Sequence, residues 1–189
     1  MNEAYIIDVS TSAYIFSLTL GKLWFDCGPH GCPCGYYGDP LKECTCSPIL
    51  IQKYRARVSG PLLDRIDIHI EVPPVRYKEL SGEDKGETSS EIRKRVNAAR
   101  GIQKDRFGRM KIHSNSQMPP RVVRKFSKPD EAGHKLLETA INKFGLSARA
   151  YDRILKVART IADLEGSDQV KSHHISEAIQ YRTLDRNLV

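Results

Sequence analysis

Apolar and polar side chains alternate along the chain with two different periods, and each period predicts a different kind of element. Residues 66–72 alternate one for one, which predicts a strand that ends at Pro73 and Pro74. Ser47 followed by Pro48 predicts the start of a helix that runs to about residue 58. Residues 5–16 are rich in Tyr, Ile and Phe, and we expect them to supply further strand material.

From residue 88 onward, the apolar positions recur every three or four residues, as they do on one face of a helix. Thr88 and Glu91 have the spacing of a capping box at the start of the first such segment. Gly145 and Gly166 stand where a helix commonly ends in a left-handed residue. The pattern predicts four helices, over residues 89–107, 129–144 and 148–165 and from residue 172 onward.

These elements divide the chain into three parts. Residues 1–74 are predicted to form an α/β or α+β unit, interrupted by a Gly-, Pro- and Cys-rich loop at 27–46. Residues 75–88 are predicted to be a polar linker, and residues 89–189 a helical domain rich in basic residues.

The composition is that of a soluble globular protein, since 40% of the 189 residues are hydrophobic and 28% are charged. An uncharged stretch at 9–21 is shorter than the roughly 20 apolar residues that cross a membrane. The first charged residues are acidic, whereas a signal peptide begins with basic ones. We therefore expect a cytoplasmic protein with no membrane partner.

The net charge of +7 is spread unevenly along the chain. Residues 1–88 carry 9 basic and 12 acidic side chains, whereas residues 89–189 carry 21 and 11. This excess predicts contact with a polyanion such as DNA, although solvated helix faces rich in Lys and Arg give the same balance. The basic side chains considered for phosphate contact include Arg93, Lys94, Arg95, Arg121, Arg124, Lys125 and Lys128.

The cysteines form two closely spaced pairs. Cys32 and Cys34 are separated by nine residues from Cys44 and Cys46, and Cys27 lies upstream. In a reducing compartment such clustering indicates a metal rather than disulfides, and four thiolates suit a structural zinc ion. The C-x-C spacing is tighter than the usual C-x2-C, so a Cys-rich turn without metal remains the alternative. Four thiolates leave no open coordination position, which argues against a catalytic zinc.

His173 and His174 form another candidate for metal binding. Adjacent residues on a helix point in different directions, so we expect them to be a solvated helix start instead.

Four long segments together resemble one known family. The segments are CPCGYYGDPLKECTCSP (32–48), SGPLLDRIDIHIEVPPV (59–75), LSARAYDRILKVARTIADLEGS (146–167) and EAIQYRTLDR (177–186). In this order they resemble the C-terminal part of the magnesium-chelatase-like AAA+ ATPases of the ComM/YifB family, whereas residues 1–31 do not follow the family pattern. The resemblance implies an α/β remnant of an AAA+ core followed by an all-α helical lid domain, mainly α overall.

The family resemblance also implies roles for three arginines. AAA+ ATPases of this kind form rings, here expected to be hexamers, that bind ATP and Mg²⁺ between neighbouring subunits. Arg65 stands where the family carries an arginine finger, which reaches the γ-phosphate bound by the next subunit; a local pair with Asp64 or Asp67 is the alternative. Arg149 stands at the sensor-2 position and Arg153 could substitute for it, unless both are solvated helix residues.

The chain departs from the family in its phosphate-binding motif. No G-x-x-x-x-G-K-[ST] sequence occurs, and His30 stands where relatives carry the sensor-1 Asn. We therefore expect the C-terminal portion of an ATPase related to DNA branch-migration and competence motors, inactive towards ATP by itself. The alternative is a zinc-stabilised binding or interaction module without ATPase activity.

Overall fold

The computed structural model describes residues 14–16, 32–39, 42–56, 66–71 and 86–182. Within these ranges the chain is mainly helical, as predicted. The helices are α1 (Pro48–Arg55), α2 (Ser89–Phe107), α3 (Pro120–Phe126), α4 (Glu131–Phe144), α5 (Ala148–Glu165) and α6 (Ser172–Gln180); the strands are β1 (Tyr14–Phe16) and β2 (His69–Glu71), and a 3-10 turn covers Asn115–Gln117.

Local capping explains the bounds of the long helices. Thr88 Oγ1 accepts a hydrogen bond from the Glu91 amide at 3.3 Å, and the Glu91 carboxylate accepts one from the Thr88 amide at 3.0 Å. Gly145 and Gly166 adopt φ values of +59° and +75° at the ends of α4 and α5. These are the positions where L side chains are disfavoured, so both helices end where the sequence predicts.

Helix α3 is the element that the hydrophobic pattern did not predict. Its seven residues make only about two turns, which is too short for a helical period to stand out. Pro120 occupies its first turn, where the missing amide proton costs nothing, and Val123 is fully buried. The Pro119–Pro120 pair was therefore the sequence signal for this helix.

The two strands form an antiparallel pair in which Ile15 is opposite Ile70 and Phe16 is opposite His69. The strand predicted over 66–72 begins only at His69, and residue 72 lies outside the described ranges. The carbonyl of Ile66 instead accepts a hydrogen bond from the Arg182 guanidinium. The segment before β2 is thus bound to the helical domain rather than to another strand.

Helix α5 lies at the centre of the helical domain, packed against α2, α3, α6 and the 3-10 turn, while α6 also packs on α4. Its buried face is rich in alanine, which lets neighbouring helices approach closely. No helix in the described part of the chain is both long and apolar enough to cross a membrane. The core consists mainly of Phe107, Met118, Val123, Leu137, Ala140, Ile154, Leu155, Ala158, Ala162, Val170, Ile175 and Ala178.

Candidate functional site

The four cysteines of the two C-x-C pairs come together in one cluster. The Sγ atoms of Cys32, Cys34 and Cys44 lie 3.3 to 3.6 Å apart, and that of Cys46 lies within 4.8 Å of the others. A tetrahedral ion with bonds of about 2.3 Å requires sulfur–sulfur distances of about 3.8 Å. The cluster therefore has the size of a four-thiolate zinc site, and all four cysteines are free of disulfides.

A tight turn brings the first two sulfurs together. The Gly35 amide donates to the Cys32 carbonyl at 3.2 Å, and Gly35 adopts a φ of +91°, which a residue with a side chain rarely does. Cys32 is fully buried, whereas the other three cysteines are half-buried. Ser47, which follows Cys46 directly, caps α1 through its side chain, so the cluster is joined to the start of that helix.

The thiols of the cluster have divergent acidities. A backbone hydrogen bond from Tyr36 is the largest influence on Cys34 and helps to lower its pKa to about 5. A backbone hydrogen bond from Cys46 lowers the pKa of Cys44, but burial and hydrogen bonds with Cys32 and Cys34 outweigh it and raise that pKa to about 12. Adjacent thiolates repel each other, so the sulfurs share protons unless a cation neutralises them.

The candidate nucleotide-contacting arginines occupy different environments. Arg149 is exposed in the first turn of α5, where the Ser147 side chain accepts a hydrogen bond from the Ala150 amide at 3.1 Å. Arg153, one turn further on, forms an ion pair with Asp67. Arg65, the arginine-finger candidate, lies outside the described residues.

The segment that follows Arg65 is attached to the helical domain at three points. The Arg182 guanidinium donates to the Ile66 carbonyl, Arg153 pairs with Asp67, and the His69 amide donates to the Tyr181 carbonyl at 2.7 Å. Ile66 is fully buried and Arg182 is 1% exposed.

Lys156 lies on α5 beside the Asp67 ion pair. Its ammonium donates to the Ser116 carbonyl at 2.9 Å. Burial lowers the pKa of Lys156, an effect that the nearby Asp67 carboxylate partly offsets. Asp67 therefore faces two basic side chains of α5, Arg153 and Lys156.

A buried polar network that the sequence did not reveal centres on Asp163, which is 2% exposed. Its carboxylate accepts two hydrogen bonds from Arg106, one from Asn115 at 2.8 Å and one from Arg159 at 3.0 Å. Arg159 also donates to two backbone carbonyls beyond the end of α5, and burial lowers the pKa of its guanidinium. The network locks α2 and the loop before α3 onto α5.

Glu165, His173 and His174 form a second cluster of potential metal ligands. His173 is exposed, as expected, but His174 is fully buried and the centres of the two imidazole rings lie 4.0 Å apart, so the expectation of diverging side chains and of a solvated His174 is wrong. The Lys171 amide donates to His174 Nδ1 at 2.9 Å, which leaves the proton of a neutral ring on Nε2, facing Glu165. That nitrogen is therefore a donor, and the cluster joins α5 to α6 without offering His174 Nε2 as a ligand.

The comparisons with known proteins identify the family. A family model described as "Magnesium chelatase, subunit ChlI C-terminal" matches residues 86–182, the whole described helical domain. A second, described as "Magnesium chelatase, subunit ChlI", matches residues 27–80, which include the cysteine cluster and Arg65. The chain belongs to the magnesium chelatase ChlI-like family, and its helical domain corresponds to the C-terminal lid.

Curated relatives agree with this assignment. "Competence protein ComM" of Haemophilus influenzae is 44% identical over 75% of this chain and 27% of its own length. "Uncharacterized protein YifB" of Salmonella typhimurium is 39% identical over 83% of this chain and 30% of its own length. The Escherichia coli protein of the same name is 38% identical over the same shares. The chain thus spans less than a third of the length of these relatives.

Proposed function

We propose that this chain supplies the lid and the arginine finger of a ring-forming, magnesium-chelatase-like AAA+ ATPase related to DNA branch-migration and competence motors. The observation that carries the proposal is the arrangement of two segments of the described structure. The segment after Arg65 is bound to the lid, and the lid presents Arg149 to solvent at the start of α5.

Arg65 acts on ATP and Mg²⁺ held by a neighbouring subunit. A guanidinium is permanently charged and forked, so it can neutralise charge that develops on the transferred phosphoryl group. The chain carries no phosphate-binding P-loop sequence of its own. Its contribution to hydrolysis is therefore made in trans, within a hexameric ring, and the chain alone does not turn over ATP.

Arg149 is the better candidate for the sensor-2 role. It is exposed beside the capped end of α5, where the amide groups of the first turn also favour an anion. Arg153, the predicted substitute, is engaged by Asp67 and would have to break that ion pair to reach a phosphate. We therefore assign nucleotide contact to Arg149.

Cys32, Cys34, Cys44 and Cys46 hold a structural zinc ion. The sulfur–sulfur distances fit a tetrahedral ion, and a divalent cation removes the repulsion between the thiolates. Such a reduced site agrees with a cytoplasmic location.

The basic lid contributes to contact with DNA. The seven basic side chains considered for phosphate contact are all exposed in the structure. Exposed lysines and arginines attract phosphates without selecting a base sequence, so the expected interaction is salt-dependent and unspecific. The alternative of an interaction module without an ATPase role is not favoured, because the ChlI family models match both the helical domain and residues 27–80, which include Arg65.

A complementation assay tests the proposal. A full-length ComM relative is prepared with alanine at its residue that aligns with Arg65, which should leave its ATP turnover low. Addition of the present chain is expected to restore turnover, whereas addition of its Arg65→Ala variant is not. Arg109→Ala removes another arginine, which is exposed on the lid and not among those considered for phosphate contact, and serves as the matched control. Equal restoration by the Arg65→Ala variant would refute the finger assignment.

A further inference from the structure

The segment that follows Arg65 is held by the lid of the same chain through buried and partly buried contacts. Ile66 is fully buried, and its carbonyl accepts a hydrogen bond from Arg182 at the end of α6. The His69 amide is bound by the neighbouring Tyr181 carbonyl at 2.7 Å. Tyr181 and Arg182, the two residues that follow α6, therefore bind the two ends of the segment 66–69.

A third contact fixes the middle of the segment to another helix. Asp67 pairs with Arg153 on α5, and the two side chains are only 15% and 25% exposed. A pair with this degree of burial is screened less by salt than a surface pair. The segment therefore contacts both α5 and the two residues that follow α6.

Arg65 directly precedes Ile66 in the sequence, and consecutive Cα atoms are about 3.8 Å apart. We infer that Asp67, Arg153 and Arg182 form a clamp through which the lid positions the arginine finger for the neighbouring subunit's ATP. In this arrangement Asp67 and Arg182 are positioning residues that do not touch the nucleotide. The inference rests on the proposed role of Arg65.

The clamp also connects the proposed nucleotide sensor of the lid to the segment that carries the finger. Arg149 and Arg153 lie one turn apart on α5, so the helix that carries the proposed nucleotide sensor also holds Asp67. A movement of α5 is transmitted to the segment next to Arg65 through this ion pair. The lid of one subunit thereby sets the position of the finger that serves the next.

Asp67→Asn tests the clamp with little change of shape. In the complementation assay we expect kcat to fall about tenfold to a hundredfold, since a misplacement of about 1 Å can cost about a hundredfold. KM for ATP should stay unchanged, because a finger acts on the transition state. Asp67→Glu keeps the carboxylate and should retain most of the activity. Glu131→Gln, which removes an exposed ion pair with Lys135 elsewhere on the lid, is the matched control.

Hydrogen exchange of the chain alone supplies a readout that does not depend on ATP. In the Asp67→Asn variant we expect the His69 amide to exchange faster, while the amides of α5 keep their protection. Unchanged kcat in this variant, with activity lost in Arg65→Ala, would overturn the clamp and leave the finger intact. A loss of protection throughout α5 would overturn it too, because the defect would then be general unfolding. Full activity of Arg65→Ala would instead refute the proposed function, and the clamp's role with it.

Discussion

Replacing Asp163 with alanine tests whether the buried polar network holds the lid together. The carboxylate is 2% exposed and accepts hydrogen bonds from Arg106, Asn115 and Arg159. Alanine would leave two guanidinium groups without their counter-charge. It would also release the loop before α3, because the Asn115 side chain would lose one of its two acceptors.

The size of the effect follows from the burial of each partner. Removing one partner of a buried ion pair typically costs about 3–5 kcal/mol. The Arg106 side chain is 11% exposed and can turn towards water, and Arg159 keeps two backbone carbonyl acceptors. We therefore expect the lower end of the range, a loss of about 3 kcal/mol. For a lid of this size that corresponds to a fall in Tm of roughly 12–24 °C.

Thermal and urea unfolding followed by circular dichroism would measure the loss. Glu131→Gln again serves as the control, because its ion pair with Lys135 is exposed and should contribute less than about 1 kcal/mol. The reasoning would be refuted if Asp163→Ala unfolded within a few degrees of that control. The carboxylate would then be dispensable despite its burial.

Three further predictions concern the metal, pH and DNA. Protein purified without added metal should contain about one zinc per chain, with less in Cys44→Ser; little zinc and freely titratable native thiols would contradict the site. Hydrogen bonds from His173 and then His174 lower the pKa of Glu165 to about 2, so its stabilising effect should be complete above about pH 4.5 and be lost as pH falls towards 2. Unfolding measured in that range should depend less on pH in Glu165→Gln, and an equal slope would contradict the assignment. Binding to labelled duplex, forked and single-stranded DNA should weaken steeply with salt, and Arg124→Ala should reduce the slope; absence of binding near physiological salt would exclude the lid as a DNA contact.

The helices of the lid could be predicted because their signals are local. Thr88 and Glu91 form a capping box within four residues, and Gly145 and Gly166 end their helices by their own backbone conformation. Helix α3 was not predicted, because a helix of two turns is too short to show a helical period in its apolar positions. The late start of β2 at His69 could not be predicted, because the residue before it that is bound elsewhere, Ile66, pairs with Arg182, 116 residues away in sequence.

In the candidate site, too, features set by nearby residues could be predicted and features set by distant residues could not. The spacing of Cys32, Cys34, Cys44 and Cys46 was enough to predict a thiolate cluster, since two short turns of the chain can bring such pairs together. The sequence could not predict that Arg149 is exposed while Arg153 forms an ion pair, because both stand on one helix with similar neighbours in sequence. What distinguishes them is Asp67, which lies 86 residues before Arg153.

The sequence by itself determined the family, four of the five helices described in the lid and the grouping of the cysteines. Each of these depends on residue order or on interactions that span a few residues. The tertiary structure alone decided that Asp163 meets Arg106 across 57 residues and that the end of α6 holds the segment after Arg65. Such pairs form only when packed helices bring distant residues into the same dry interior, where an unpaired charge is costly and each charged group must find a partner.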